Sequence, residues 1–330
     1  MAPLAQAADG DLPVNGRAAS VTNSKAVLSD ISVSVSVTAK LCAFARAFHA
    51  KHDAERVFID SRAYELLGKN EYENMARLIG RGYRQEAPGT DGFDWQKIKK
   101  HLDKYIAPIP LSRAAYAEQN LASYAADAGY CQYVICGAGL DTFSLRSQNK
   151  NIAIYEIDRP ETQRYKREKL GRLSPKKLCP DVHYVSADFF SDNWTDKLIQ
   201  SGFSPRRPAF FSILGVTYYL TLPVFEKMLA QIAGISAAGS RLVFDFPDET
   251  SFSPAAPERF VHLAKIVAQV GEPMRCGYSA ADIASALRRR GHAIEEHLTP
   301  QKIQERFFEG SSLSQRAYEN IHFILAKRSD

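Results

Sequence analysis

A chain of 330 residues, 45% hydrophobic and 24% charged, has the composition of a soluble globular protein with room for one large α/β domain and an insertion. Its net charge of +5 is mild and its Lys and Arg residues are interleaved with acids, so no basic patch for nucleic acid is present. Five cysteines without C-x-x-C spacing support neither a disulfide framework nor a zinc site, and no run approaches the roughly 18 apolar residues that span a membrane. The expected location is therefore cytoplasmic, with no nucleic-acid or membrane partner.

Residues 1–30 are rich in Ala, Gly, Asn and Ser and predict a flexible tail. Residues 31–110 predict a helical N-terminal cap. From about residue 37 the chain turns helical, with Leu41, Phe44 and Phe48 on one face. Lys40 and Arg46 fall elsewhere on that helix, either reaching an anionic ligand or forming a solvated basic face. Asp60 is the expected N-cap of the next helix, and 71–85 is a further helical stretch. A Pro/Gly loop at 87–95 precedes a helix at 97–106, which Pro108-Ile109-Pro110 breaks. The following helix, 111–128, would hold Arg113 in its first turn. A cation is electrostatically out of place there, which fits a ligand contact.

The centre of the chain reads as strand, turn and helix. Residues 132–136 are a short buried strand, Gly137-Ala138-Gly139 a tight turn, and 140–145 a helix packed back on the strand. Glycine lets such a turn approach a ligand closely, and in α/β sheets the ligand lies at the carboxyl ends of the strands. The dinucleotide fingerprint requires a third glycine where Thr142 stands, and no Lys-Ser/Thr follows to make a P-loop. The remaining reading is G-x-G followed by Asp141, as in S-adenosylmethionine (SAM) sites. Strand two, 152–157, ends at Asp158, about 20 residues after the turn, where an acid accepts hydrogen bonds from ribose hydroxyls. The competing role for Asp158 is N-cap of the helix 161–170. Strand three, 183–186, ends in Ala187-Asp188-Phe189, an acid and an aromatic suited to an adenine amino group and ring, or simply a turn. Strand four, 209–214, runs into G-V-T-Y-Y-L-T at 215–221.

Beyond it, 191–202 is helical with Trp194 inward, and 222–235 is an amphipathic helix carrying Phe225, Met228, Leu229, Ile232 and Ile235. Strand five is 241–246. An insertion at about 247–278, with a helix near 256–270, lies on the ligand edge, where a substrate lid belongs. A helix at 280–290 ends at Gly291, and 292–297 and 320–327 are strands able to close the sheet as an antiparallel pair.

G-A-G-L-D-T-F-S-L-R, Y-E-I-D-R-P, A-D-F and G-V-T-Y-Y-L-T, in this order, resemble the leucine carboxyl methyltransferase family, and within it the bacterial and fungal small-molecule O-methyltransferases. The resemblance runs from about Ser36 to 321–323. It implies a Rossmann-like, mostly parallel seven-stranded methyltransferase sheet with an antiparallel C-terminal hairpin, in a core spanning 111–330, and SAM as the methyl donor. Carried over by position, Gly137 and Gly139 match the glycine turn, Asp158 the ribose acid, Asp188 and Phe189 the adenine-side pair, and Arg113 the partner of the SAM carboxylate. The family often has glutamate before the glycine of the strand-four motif, against the methionyl end of SAM. Leu214 stands there instead, and the Gly137 carbonyl is one substitute partner for the ammonium.

The expected activity is SAM-dependent O-methyl transfer to a carboxylate or phenolic hydroxyl of a small molecule or peptide C-terminus. A carboxylate is already ionised and needs no base, whereas a phenol, with pKa near 10, benefits from one. Tyr218 is the expected catalytic, acceptor-side group, with a core tyrosine as the alternative. His262 and His322 are conceivable bases, although such histidines are more often structural. Two other classes remain open: an NAD(P)-linked oxidoreductase on a similar sheet, and a non-catalytic SAM-binding module, for which Leu214 speaks.

Overall fold

The computed structural model describes residues 35–53, 57–80, 92–173, 181–189, 193–310 and 313–329. The tail expected at 1–30, the helix end at 81–85 and the loop positions 87–91 lie outside them.

Strand β1, Cys131–Cys136, is buried along its whole length. A continuous apolar run of this kind suits a central parallel strand covered on both faces. Around it the sheet has the order β3-β2-β1-β4-β5-β7-β6, with β2 Ile152–Asp158, β3 Val182–Ser186, β4 Ala209–Ile213, β5 Arg241–Pro247, β6 His292–Leu298 and β7 Ile321–Arg328. β1 to β5 are parallel, and β7 runs antiparallel to both β5 and β6. The seven-stranded sheet with a reversed C-terminal pair is thus as expected.

Register decides what meets at the ligand edge. Cys136 pairs with Ile157 on one side and with Ile213 on the other, and Ile213 pairs with Phe244. The next residues, Gly137, Asp158, Leu214 and Asp245, therefore stand in one row at that edge. Alternation along the strands divides the core into two layers. Val134, Phe211, Phe244, Trp194 and Phe225 fill one face. Tyr133, Ile135, Phe210, Val243 and Phe323 fill the other.

Four helices precede the sheet: α1 Val37–His52, α2 Ala63–Ile79, α3 Trp95–Tyr105 and α4 Pro108–Ala128. Phe44, Phe48, Leu67, Ile98 and Leu111 join them in a third apolar cluster. Asp60 accepts the N–H groups of Arg62 and Ala63 at the start of α2, one turn ahead of the helix, whose N-cap residue is Arg62 and not Asp60 as expected. Pro108 starts α4 rather than ending a preceding element, since proline at the first helical turn gives up no hydrogen bond. Arg113 therefore sits in the second turn, and the argument from a misplaced first-turn cation does not apply.

Downstream come α5 Phe143–Arg146, α6 Pro160–Leu170, α7 Trp194–Gln200, α8 Leu222–Ile235, α9 Glu258–Gln269, α10 Ala280–Arg289 and α11 Pro300–Phe307. α5 is a single turn, beginning later than residue 140. The Phe143 N–H donates to Asp141 Oδ1 at 2.7 Å, so the aspartate holds a turn where the helix was expected to start. α11 was not anticipated, although Thr299 caps it and Pro300 opens it in the usual manner.

Candidate functional site

A cavity of about 490 Å³ lies over the carboxyl ends of β1, β2 and β4 and reaches the N-terminus of α1, the start of α4 and the segment after α9. Of the residues singled out from sequence, Arg113, Gly137, Gly139, Asp158, Asp188, Phe189, Leu214 and Tyr218 all line it.

The glycine turn is locked by the acid that follows it. Gly137 has φ 79°, and a Cβ there would stand 2.5 Å from Val216 Cγ2, so both conformation and space require glycine. The Gly139 N–H donates to Asp158 Oδ2 at 2.5 Å, and the Arg159 N–H donates to Asp158 Oδ1 at 2.7 Å. Burial raises the Asp158 carboxyl above the usual carboxylate range, against the pull of those two donors. Asp158 therefore does not cap α6, whose N-cap is Arg159. Each carboxylate oxygen retains a lone pair for a ligand hydroxyl. At the end of β3, Phe189 packs edge-on against Trp194 with ring centroids 5.5 Å apart.

The strand-four motif is organised by a residue that sequence reasoning missed. Asp245, fully buried on β5, accepts the Gly215 N–H at 2.7 Å on Oδ1. Its Oδ2 accepts the Tyr218 hydroxyl at 2.8 Å and pairs with Arg113 Nη1 at 3.2 Å. Its backbone carbonyl accepts the Thr217 hydroxyl at 2.6 Å. Burial opposes the charge on Arg113, but Asp245, Cys42 and Tyr218 together outweigh it and raise the guanidinium pKa. The guanidinium lies directly over Gly215, 2.5 Å from where a side chain would begin. The signal in the sequence was a single acid flanked by phenylalanines in an otherwise apolar strand, R-L-V-F-D-F-P. A buried acid must be paired, but its partners are far away in sequence.

Tyr218 is 2% exposed, and burial followed by the nearby Asp245 charge pushes its phenol well above the usual value. It is a neutral hydroxyl whose proton is directed at Asp245. Leu214 packs with the apolar layer that includes Tyr218 and Val243. The two basic residues of α1 are tied inward. Lys40 pairs with Glu71 at 3.3 Å, and Arg46 pairs with Asp60 at 2.8 Å while donating to the Leu140 carbonyl. Neither forms a solvated basic face, and Arg46 lines the cavity while held by Asp60.

The two candidate histidine bases lie elsewhere. His262 packs on the Tyr105 ring at 4.1 Å, and His322 stacks on Phe246 with its Nδ1 2.9 Å from His297 Nε2. Among the described residues, the cavity wall contains no histidine.

The far half of the cavity is lined by Ile106, Ile109, Leu263, Val267, Met274 and Tyr219. Its rim is stitched. Glu272 accepts the Val37 N–H at 2.7 Å, the Thr38 N–H at 3.4 Å, the Ser36 hydroxyl at 3.0 Å and the Thr38 hydroxyl. The Arg275 N–H donates to the Tyr218 carbonyl at 2.8 Å. A carboxylate at a helix N-terminus meets unpaired N–H donors and the positive end of the helix dipole.

Comparison with known proteins agrees with this architecture. The family model for leucine carboxyl methyltransferase matches residues 39–233. The chain is 34% identical over 299 residues to a Bacillus subtilis (strain 168) protein named "Putative S-adenosyl-L-methionine-dependent methyltransferase YktD", covering 88% of this chain and 97% of that one. It is 28% identical over 244 residues to the similarly named Rv0830 of Mycobacterium tuberculosis, covering 73% and 75%. A crystal structure titled as a putative methyltransferase from Thermobifida fusca YX superposes with a TM-score of 0.52 over 77% of this chain and 94% of that one, at 15% identity, a likeness of fold alone. No helix among the described residues is long and apolar enough to cross a membrane. The family match covers the glycine turn and the strand-four motif together and removes the dinucleotide alternative: the chain belongs to the leucine carboxyl methyltransferase family and is a SAM-dependent methyltransferase.

Proposed function

We propose that the protein is an O-methyltransferase that acts on a carboxylate or phenolic hydroxyl of a small molecule or peptide C-terminus, in the cytoplasm. The observation that carries this is the acceptor half of the cavity. It offers apolar walls and the phenols of Tyr218 and Tyr219, both of which burial keeps protonated. Such a wall aligns an oxygen nucleophile and strips its water, and its histidine-free lining suits an acceptor that arrives ionised.

The donor half fits SAM. Gly137 leaves the space that a Cβ would fill. Gly137 and Gly139 would let the backbone approach the nucleoside, Asp158 would take the ribose hydroxyls, Asp188 and Phe189 the adenine, and Arg113 the methionine carboxylate, with Leu214 an apolar neighbour of the methionyl chain. When bound, SAM supplies an electrophilic methyl group on a sulfonium. The chain's own contribution is placement. Asp245 fixes Arg113 and Gly215 together, and Tyr218, its hydroxyl turned to the same carboxylate, would meet the acceptor with its ring.

Calorimetric titration with SAM and S-adenosylhomocysteine, followed by mass spectrometry of an acceptor panel, tests the reading. A gain of one methylene that mild alkali removes is a methyl ester, and one that survives is an aryl ether. Transfer to nitrogen, sulfur or carbon nucleophiles alone would overturn the O-methyl assignment.

A further inference from the structure

Resting on the O-methyl reading, we propose that the acceptor is a compact, largely apolar carboxylic acid enclosed beneath the segment 271–275, with Arg275 as the residue that recognises its carboxylate. Three observations lead to this.

The first is the body of the chamber. Ile109, Leu263, Val267 and Met274 present a continuous apolar wall belonging to the same cluster as Tyr218. An acceptor gains affinity there by burying hydrocarbon or an aromatic ring, at about 25 cal/mol per Å². A peptide main chain would bring amide groups to a wall with few partners for them, at a cost per unsatisfied group.

The second is closure. Glu272 is bonded to Ser36, Val37 and Thr38, and the backbone of Arg275 and Cys276 is bonded to the Tyr218 carbonyl. The segment is thus fastened at both ends, to α1 and to the strand-four motif. A folded protein's C-terminus needs an open groove from solvent to the methyl group. A small molecule needs only transient release of the Glu272 clasp. The same clasp excludes the α1 N-terminus as the acceptor's anion site, because its N–H groups are already taken by Glu272.

The third is charge. Of the arginines lining the cavity, Arg46 is held by Asp60, and Arg113, held by Asp245, is assigned to the donor half. Arg159 lies beside the ribose acid. Arg275 lines the acceptor half, its side chain is exposed at the rim, and among the described residues no acid pairs with it. A guanidinium there attracts an anionic acceptor and holds one carboxylate oxygen while the other faces the methyl group. That free oxygen forms the bond to the methyl carbon as the carbon–sulfur bond breaks and its electron pair passes to sulfur. No proton moves, so the transfer needs no base. The ester is neutral and loses its attraction to Arg275, which favours release.

The experiment uses the full chain with SAM and three probe sets: octanoate, phenylacetate and naphthoate; the matched neutral alcohols and a phenol; and short peptides with free C-terminal carboxylates. SAM affinity is measured by calorimetry alongside turnover. The expected result is methyl ester formation on the apolar acids in preference to the other sets. Arg275→Gln should raise KM for those acids at least tenfold and leave SAM affinity unchanged, with Arg275→Lys recovering part of the loss. Peptide termini methylated as well as the small acids would overturn enclosure. An unchanged KM in Arg275→Gln, or a matching loss of SAM affinity, would overturn the role of Arg275. Methyl transfer only to nitrogen or sulfur would instead fail the O-methyl reading itself, so the two failures are distinguishable.

Discussion

Asp158 and Asp245 show how two carboxylates serve one site from different depths. Asp158 lines the cavity and grips the Gly139 N–H, so it shapes the turn as well as standing where the proposed ribose would lie. Asp158→Ala is expected to weaken SAM binding at least about tenfold, through loss of roughly 1.5–3 kcal/mol of hydrogen bonding to a charged group. Calorimetry on a variant with an unchanged far-ultraviolet dichroism spectrum checks this, and an unaltered affinity would remove Asp158 from the site. Asp245 lies behind the wall and reaches the ligand only through Arg113, Gly215 and Tyr218. In Asp245→Asn the amide oxygen still accepts one N–H, but the charge opposite Arg113 is gone. The expected outcome is roughly tenfold weaker SAM binding together with a stability loss of about 1–3 kcal/mol. Denaturation and titration would both have to be unchanged to dismiss it. Asp158 was legible because its strand-end spacing points to a ligand. Its hold on Gly139 was not, since spacing says nothing of where a side chain turns back.

At the level of elements, the parallel strands and the glycine turn were readable because burial imposes continuous apolar runs punctuated by turn residues. What escaped were junctions. Pro108 begins α4 where the pattern suggested only a break, and Lys40 and Arg46 enter internal ion pairs instead of facing solvent. A single sequence gives the helical face of a charge but not the partner that another element brings to it. Asp60 is the clearest such junction. It is 1% exposed, accepts the N–H groups of Arg62 and Ala63 at the start of α2, pairs with Arg46 at 2.8 Å and with Arg146 at 3.5 Å, and accepts the Thr142 hydroxyl at 2.7 Å. Burial opposes its ionisation, yet the two arginines and Thr142 bring its pKa below the usual value. It fastens α1 and α2 to the segment that follows the glycine turn. Asp60→Ala strands the largely buried Arg46 guanidinium, while Arg146 keeps Glu118, and breaking a buried pair this way costs about 3–5 kcal/mol. A denaturant midpoint close to the wild-type value would contradict that junction.

Over the whole molecule, burial has been applied to histidines in one direction. His52, His101, His292, His297 and His322 all have lowered pKa values, with burial the first cause in each. His292, 5% exposed at the start of β6, is the extreme case, brought down to about 4 by burial and the neighbouring Arg328. Between about 4 and the ordinary histidine value near 6.5, the unfolded chain binds a proton at this position and the folded chain does not. Stability therefore rises with pH through that window and is lost on acidification, by about 3 kcal/mol for His292 across the whole range. Glu118 and Glu156, whose carboxyl pKa values burial raises, oppose this trend, because the folded state holds their protons more tightly. The total slope thus mixes both signs, and a variant isolates one of them. His292→Gln can still hydrogen-bond but cannot titrate, so its unfolding free energy should fall less steeply than that of the wild type from pH 6.5 down to about pH 4. Thermal or urea unfolding of the two proteins over that series measures the difference. Parallel curves would mean that His292 charges in the folded state as readily as in the unfolded one, and that the start of β6 admits water.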